Sequence, residues 1–207
     1  LTGNGETTIS FADDQYTITP PAGDPVTQAD SPGDIYLTDI TESGTYEDGY
    51  NRVLNLEGGI YTKLQLWNVA GTAGGVTLGG TNSFVINIGA GTSLLNTNPQ
   101  LMGWSNQDRI VAADITLNVD QNAGTINGFC LVGDGNKTDA FQTTGTYIVN
   151  IHGGEWAGTS VSSPDARWCI GLGQESFRHT GDVTFTIDGG TFVQLVPAGT
   201  TRGAGQK

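Results

Sequence analysis

One pattern constrains this chain more than any other: a strand-like heptad that returns about every 32 residues. The copies are Val53-Leu54-Asn55-Leu56-Glu57-Gly58-Gly59, Val85-Ile86-Asn87-Ile88-Gly89-Ala90-Gly91, Thr116-Leu117-Asn118-Val119-Asp120, Ile148-Val149-Asn150-Ile151-His152-Gly153-Gly154 and Thr184-Phe185-Thr186-Ile187-Asp188-Gly189-Gly190. Their central polar residues, Asn55, Asn87, Asn118, Asn150 and Thr186, lie 32, 31, 32 and 36 positions apart. Each copy alternates apolar and polar with period two, so each reads as a β-strand. A single strand cannot bury its apolar side, but stacked copies can, which is the logic of a solenoid.

The period leaves room for two or three strands and their turns per coil. The reading is therefore an all-β, single-stranded parallel β-helix of about five coils. A propeller blade needs four antiparallel strands, for which the repeat is short. Alternation assigns two inward ladders: Leu54, Ile86, Leu117, Val149, Phe185 and Leu56, Ile88, Val119, Ile151, Ile187. A slip of one residue would turn both ladders outward. Second strands are expected at Phe129-Cys130-Leu131 and Trp168-Cys169-Ile170, with Leu101-Met102-Gly103-Trp104 as an earlier relative. This alignment stacks Cys130 on Cys169 at about 4.8 Å. Two packed thiols and a disulfide both remain open there, although in-register parallel neighbours orient poorly for a bond.

Residues 1–50 stand outside the repeat and carry Pro20, Pro21, Pro25 and Pro32. They are expected to cap or preface the stack, with an irregular coil beginning at Ile35-Tyr36-Leu37; residues 51–207 are the helix itself. No closing element is visible after Val196. The expectation is therefore a piece of a longer protein, or an end covered by another chain. The 32 glycines fit frequent tight turns. The net charge of −13 argues against nucleic acid and anionic membrane surfaces. No stretch is apolar enough to span a bilayer, and Leu1 reads as a mature or trimmed start. Extracellular or cell-surface residence is expected, and the Asn136-Lys137-Thr138 sequon is a weak sign in the same direction.

Three outward columns hold the candidate chemistry. Asn55, Asn87, Asn118, Asn150 and Thr186 form a polar row that suits sugar hydroxyls or satisfies itself as an amide ladder. Beside it run Val53, Val85, Thr116, Ile148 and Thr184. The third column is Glu57, Gly89, Asp120, His152 and Asp188. There His152 stands between two carboxylates, an arrangement suited to acid/base work or a metal; an ordinary solvated column has the same residues. Asp134, Asn136 and Asp139 space oxygen atoms as a Ca²⁺ loop does, but Gly145 stands where an EF-hand has its distal Glu. Trp104, Trp156 and Trp168 offer stacking platforms or core. Arg178-His179 offers an anionic-sugar contact. Asp13-Asp14 reads as a solvated loop.

The units Ile151-His152-Gly153-Gly154-Glu155-Trp156 and Ile187-Asp188-Gly189-Gly190-Thr191-Phe192 resemble those of right-handed parallel β-helix proteins. They are especially similar to the Gly-Gly-Thr-Phe-type repeats of bacterial cell-surface and adhesin-like proteins. The resemblance covers residues 50–196 and implies a right-handed coil in a surface protein. Polygalacturonases and pectate lyases share the architecture, but of the ordered Asn-Thr-Asp, Asp-Asp, Gly-His-Gly and Arg-Ile-Lys motifs of the first only Asp13-Asp14 appears, outside the repeat. The basic cluster of the second is missing. The expected function is a non-catalytic extracellular adhesion or glycan-binding module contacting polysaccharide or host glycan through Asn87, Asn118, Asn150 and Trp156. The alternatives are a polysaccharide lyase or glycoside hydrolase using Asp120, His152 and Asp188, and a fibre or sheath subunit associating end to end.

Overall fold

The structure, a computed structural model, describes residues 1–47, 49–69, 76–95, 101, 110–127, 129–130, 142–157, 170–171 and 178–193. They form strands and turns, with no helix among them. The first stretch holds β1 (Gly5–Ala12), β2 (Gln15–Thr19), β3 (Val26–Gln28), β4 (Asp34–Tyr36) and β5 (Gly44–Tyr46). Then come β6 (Asn51–Glu57), β7 (Gly59–Tyr61), β8 (Lys63–Gln65) and β9 (Val76–Leu78), followed by β10 (Ser83–Ile88), β11 (Thr92–Leu94) and β12 (Ile110–Ala112). The pattern continues through β13 (Asp114–Val119), β14 (Thr125–Asn127), β15 (Phe129–Cys130), β16 (Gln142–Thr144), β17 (Tyr147–Ile151), β18 (Glu155–Ala157), β19 (Ile170–Gly171) and β20 (Arg178–His179). The last are β21 (Val183–Ile187) and β22 (Thr191–Val193).

Successive rounds deliver their strands to the same sheets. The largest runs β21-β17-β13-β10-β6-β1-β2-β3; a second runs β22-β18-β14-β11-β7 and a third β20-β16-β12-β9-β5. All pairings between rounds are parallel, so the fold is a parallel β-solenoid with the spacing read from the sequence. The register puts Asn55, Asn87, Asn118 and Asn150 side by side. Leu54, Ile86, Leu117 and Val149 face inward and are buried, as are Leu56, Ile88, Val119 and Ile151. Burying each such side chain stabilises by roughly 1.5–3 kcal/mol. A third inward column had no counterpart among the two ladders: Arg52, Phe84, Ile115, Tyr147 and Val183. Phe185 and Ile187 keep the inward register but are exposed, because no described strand lies beyond β21.

The second sheet stacks Tyr61, Leu94, Ile126, Trp156 and Phe192 in one column. The expected pairing of Cys130 with Cys169 is corrected: Phe129 pairs with Ile170 and Cys130 with Gly171. Matching the two aromatic-Cys triplets shifts the partner strand by two places, which preserves the facing but loses the neighbour. Cys169 itself, Trp104 and Trp168 lie outside the described residues.

The N-terminal stretch builds a round of its own. β1 pairs in parallel with β6, β4 with β8, and β5 with β9, where Thr45 meets Thr77 at the regular spacing. The β2–β3 excursion, in which β2 runs antiparallel to β1 and β3 antiparallel to β2, lengthens this round so that Thr8 and Asn55 are 47 residues apart. Tyr16 closes the edge of the second sheet. Its hydroxyl accepts from Ile60 N at 3.0 Å and donates to Ile60 O at 3.2 Å, occupying both positions a neighbouring strand would fill. Gly59 is required beneath it: its φ is +85°, and a Cβ would run into the Tyr16 ring.

Asp13 and Asp14 form the β1–β2 turn, with φ of 52° and 58°. Both angles are left-handed, the conformation of a type I′ hairpin, where Gly at the second position is preferred. Asp14→Gly is expected to stabilise the fold by about 0.5–1 kcal/mol. A urea midpoint that falls instead would show that the Asp side chains hold the turn.

Burial pushes the Tyr147 phenol up to about 12. Its unfolded value is about 10. The neutral ring therefore contributes fully below about pH 10, and the contribution is lost as pH rises through about 12. Tyr147→Phe should flatten this alkaline loss in urea titrations. An identical slope in both proteins would place the sensitivity elsewhere.

Candidate functional site

The outward face of the eight-stranded sheet gathers most of the candidate residues. It is flanked by short turns on both sides. Toward the second sheet, β10 ends at Ile88 and β11 begins at Thr92; β17 ends at Ile151 and β18 begins at Glu155. From the third sheet, β12 ends at Ala112 and β13 begins at Asp114, while β16 ends at Thr144 and β17 begins at Tyr147. Connections this short cannot fold over the sheet, so the described residues leave the face between them open.

Along it runs a ladder of amides. Asn150 Nδ2 donates to Asn118 Oδ1 at 2.9 Å, Asn118 Nδ2 to Asn87 Oδ1 at 2.7 Å, and Asn87 Nδ2 to Asn55 Oδ1 at 2.7 Å. Asn55 Nδ2 ends the series on Glu6 Oε1 at 2.7 Å and Thr8 Oγ1 at 3.1 Å. All donors point toward the N-terminal rounds, and a carboxylate anchors the last one, which strengthens that bond. At the other end Asn150 faces Thr186. Thr186→Asn is expected to add a rung and about 0.5–1 kcal/mol, measured as a raised urea midpoint. A lowered midpoint would mean that the ladder's geometry does not extend into β21.

The column beside the ladder splits. His152 Nδ1 donates to Asp188 Oδ1 at 2.6 Å, with side chains 47% and 61% exposed. The carboxylate accepts, so Nδ1 carries the proton and Nε2 is left to interact outward. Asp120 turns away, its Oδ1 accepting Asn122 N at 2.7 Å. Thus two of the three expected residues meet. Among the described residues no group of three His, Cys, Asp or Glu side chains gathers as a metal site would need.

Trp156 is 0% exposed, stacked on Phe192 at 5.8 Å, and its Nε1 donates to Gly153 O at 2.9 Å. This placement leaves no ring face for a ligand. His179 points toward the core: Nδ1 lies 2.9 Å from Thr143 Oγ1, and its ring sits 4.4 Å from that of Tyr147. Asp134, Asn136 and Asp139 lie outside the described residues.

Arg52 escaped the sequence reading. It is buried in the third inward column, with Nη1 donating to Leu1 O at 2.6 Å and Leu37 O at 2.8 Å, and Nη2 3.5 Å from Asp39 Oδ1. Its alignment with Phe84, Ile115 and Tyr147 is the signal that could have found it, since an arginine there must be paired. It ties the first round to β6 and is structural.

These features define a parallel β-solenoid whose widest sheet presents an open amide ladder beside an exposed His–Asp pair. No family model matches the chain, and neither a curated protein nor a solved structure is found similar to it.

Proposed function

We propose that the protein is a right-handed solenoid of about five coils that serves as a non-catalytic extracellular surface or adhesion module and binds glycan. The observation that carries this reading is the open face itself: a regular polar row, flanked by turns too short to wall a cleft. Catalysis on polymers calls for side chains converging around one bond, whereas a flat repeating face suits a long repeating ligand. The Gly-Gly-aromatic units support the surface-protein assignment, and the net charge of −13 suits a soluble exterior.

The test is retention of the purified protein on insoluble and soluble polysaccharides and mucin, with released products scored in the same samples. Retention without products supports the module.

A second reading, a lyase or hydrolase, is favoured by the 2.6 Å His152–Asp188 contact, which orients an imidazole as a general base is oriented. Products that disappear on His152→Ala would establish it and displace the first. End-to-end association into a fibre is favoured by the exposed apolar side chains Phe185, Ile187, Phe192 and Val193. A sedimentation coefficient constant over a wide concentration range would remove it.

A further inference from the structure

The amide ladder lies between two unlike strips. On one side Val53, Val85, Thr116 and Ile148 give a β-branched surface, with Ile148 36% exposed. On the other stand the exposed carboxylates of Glu57, Asp120 and Asp188. Each interior amide commits one N–H and one carbonyl lone pair to its neighbours. One N–H and one lone pair per amide therefore remain for a ligand. Because the ladder is polarised in one direction, the interior rungs offer that pair in the same sense, repeated at about 4.8 Å.

The row crosses the strands. A ligand that touches several rungs must therefore lie along the solenoid axis. It needs paired donors and acceptors along one rim and an apolar flank to rest on the aliphatic strip. A polymer of pyranose rings has both, in its hydroxyl rim and its C–H faces. The charge of the ligand follows from the flank: uronate or sulfate groups would be repelled by three carboxylates and by the net charge of −13.

We infer that the ligand is a neutral, extended polysaccharide aligned with the solenoid axis, hydrogen-bonded by Asn87, Asn118 and Asn150 and resting on Val85, Thr116 and Ile148. This rests on the glycan-binding reading above. The test is affinity electrophoresis through gels containing a soluble β-glucan, a galactomannan, an arabinoxylan or polygalacturonate. Wild type, Asn118→Leu and Ile148→Glu are compared, with folding checked by circular dichroism. At least one neutral polymer should retard the wild type, and both variants should lose about tenfold in affinity. Ile148→Glu changes an exposed position, so it decides the matter if Asn118→Leu does not fold. Unchanged retardation of the folded variants would overturn this inference while leaving glycan binding intact. Retardation by polygalacturonate alone would overturn the charge argument. No retardation of the wild type by any polymer would sink the glycan-binding reading along with it.

Discussion

Trp156→Ala should be among the most damaging single changes in this protein, lowering stability by about 3–5 kcal/mol in urea unfolding. The indole is wholly buried, stacked on Phe192, and bonded through Nε1 to Gly153 O. Truncation removes its packing, opens a cavity between β14, β18 and β22, and frees a carbonyl that the turn holds in place. Trp156→Phe should cost much less, since it retains most of the packing and loses only the hydrogen bond, worth about 1 kcal/mol. Solenoid rounds touch mainly their neighbours, so the loss should appear first as hydrogen exchange in β18 and β22, ahead of global unfolding. A Trp156→Ala protein as stable as wild type would show that the ring is not core, and would restore it as a surface platform.

Asn82→Ala is the second large effect, expected at about 3 kcal/mol. Asn82 is buried just before β10. Its Oδ1 accepts Tyr50 N at 2.9 Å, and its Nδ2 donates to Gly79 O and Ala112 O, each at 2.9 Å. One side chain therefore joins the entries to β6, β10 and β13. Its removal takes three hydrogen bonds away from Tyr50 N, Gly79 O and Ala112 O, each worth about 1 kcal/mol. Asn82→Asp retains the acceptor but sets a carboxylate against two carbonyl oxygens, so it should not rescue. A shift of the urea midpoint equivalent to less than about 0.5 kcal/mol would mean that water takes over these bonds.

The stacked strands were legible because period-two alternation and the spacing reinforce each other. Leu54, Leu56 and their counterparts in three further strands face inward as the pattern requires. The first round was not legible, because β2 and β3 interrupt the spacing and β1 carries only a short apolar alternation. Arg52 was passed over because a charged residue breaks the apolar column in which it sits. The place of Trp156 was readable only from the register that aligns it with Leu94 and Ile126. The amide column could be read from the sequence, but its direction could not, since Asn gives no sign of which neighbour receives its proton. For the third column, spacing put Asp120, His152 and Asp188 together. Which carboxylate meets the imidazole was decided by the local turn, where Asp120 satisfies Asn122.

The uniform register has a kinetic consequence. Once the first round exists, each new strand of the large sheet pairs with one made about 31–36 residues earlier. The loop that must close is thus the same length for every addition, and its entropic cost does not grow with the stack. A chain leaving the ribosome always finds its template already synthesised. At the opposite end, the Tyr16 hydroxyl takes both hydrogen-bonding positions of Ile60 on the edge of the second sheet, so a strand arriving there finds them filled. Assembly of the stack therefore has a direction, and it is the direction of translation.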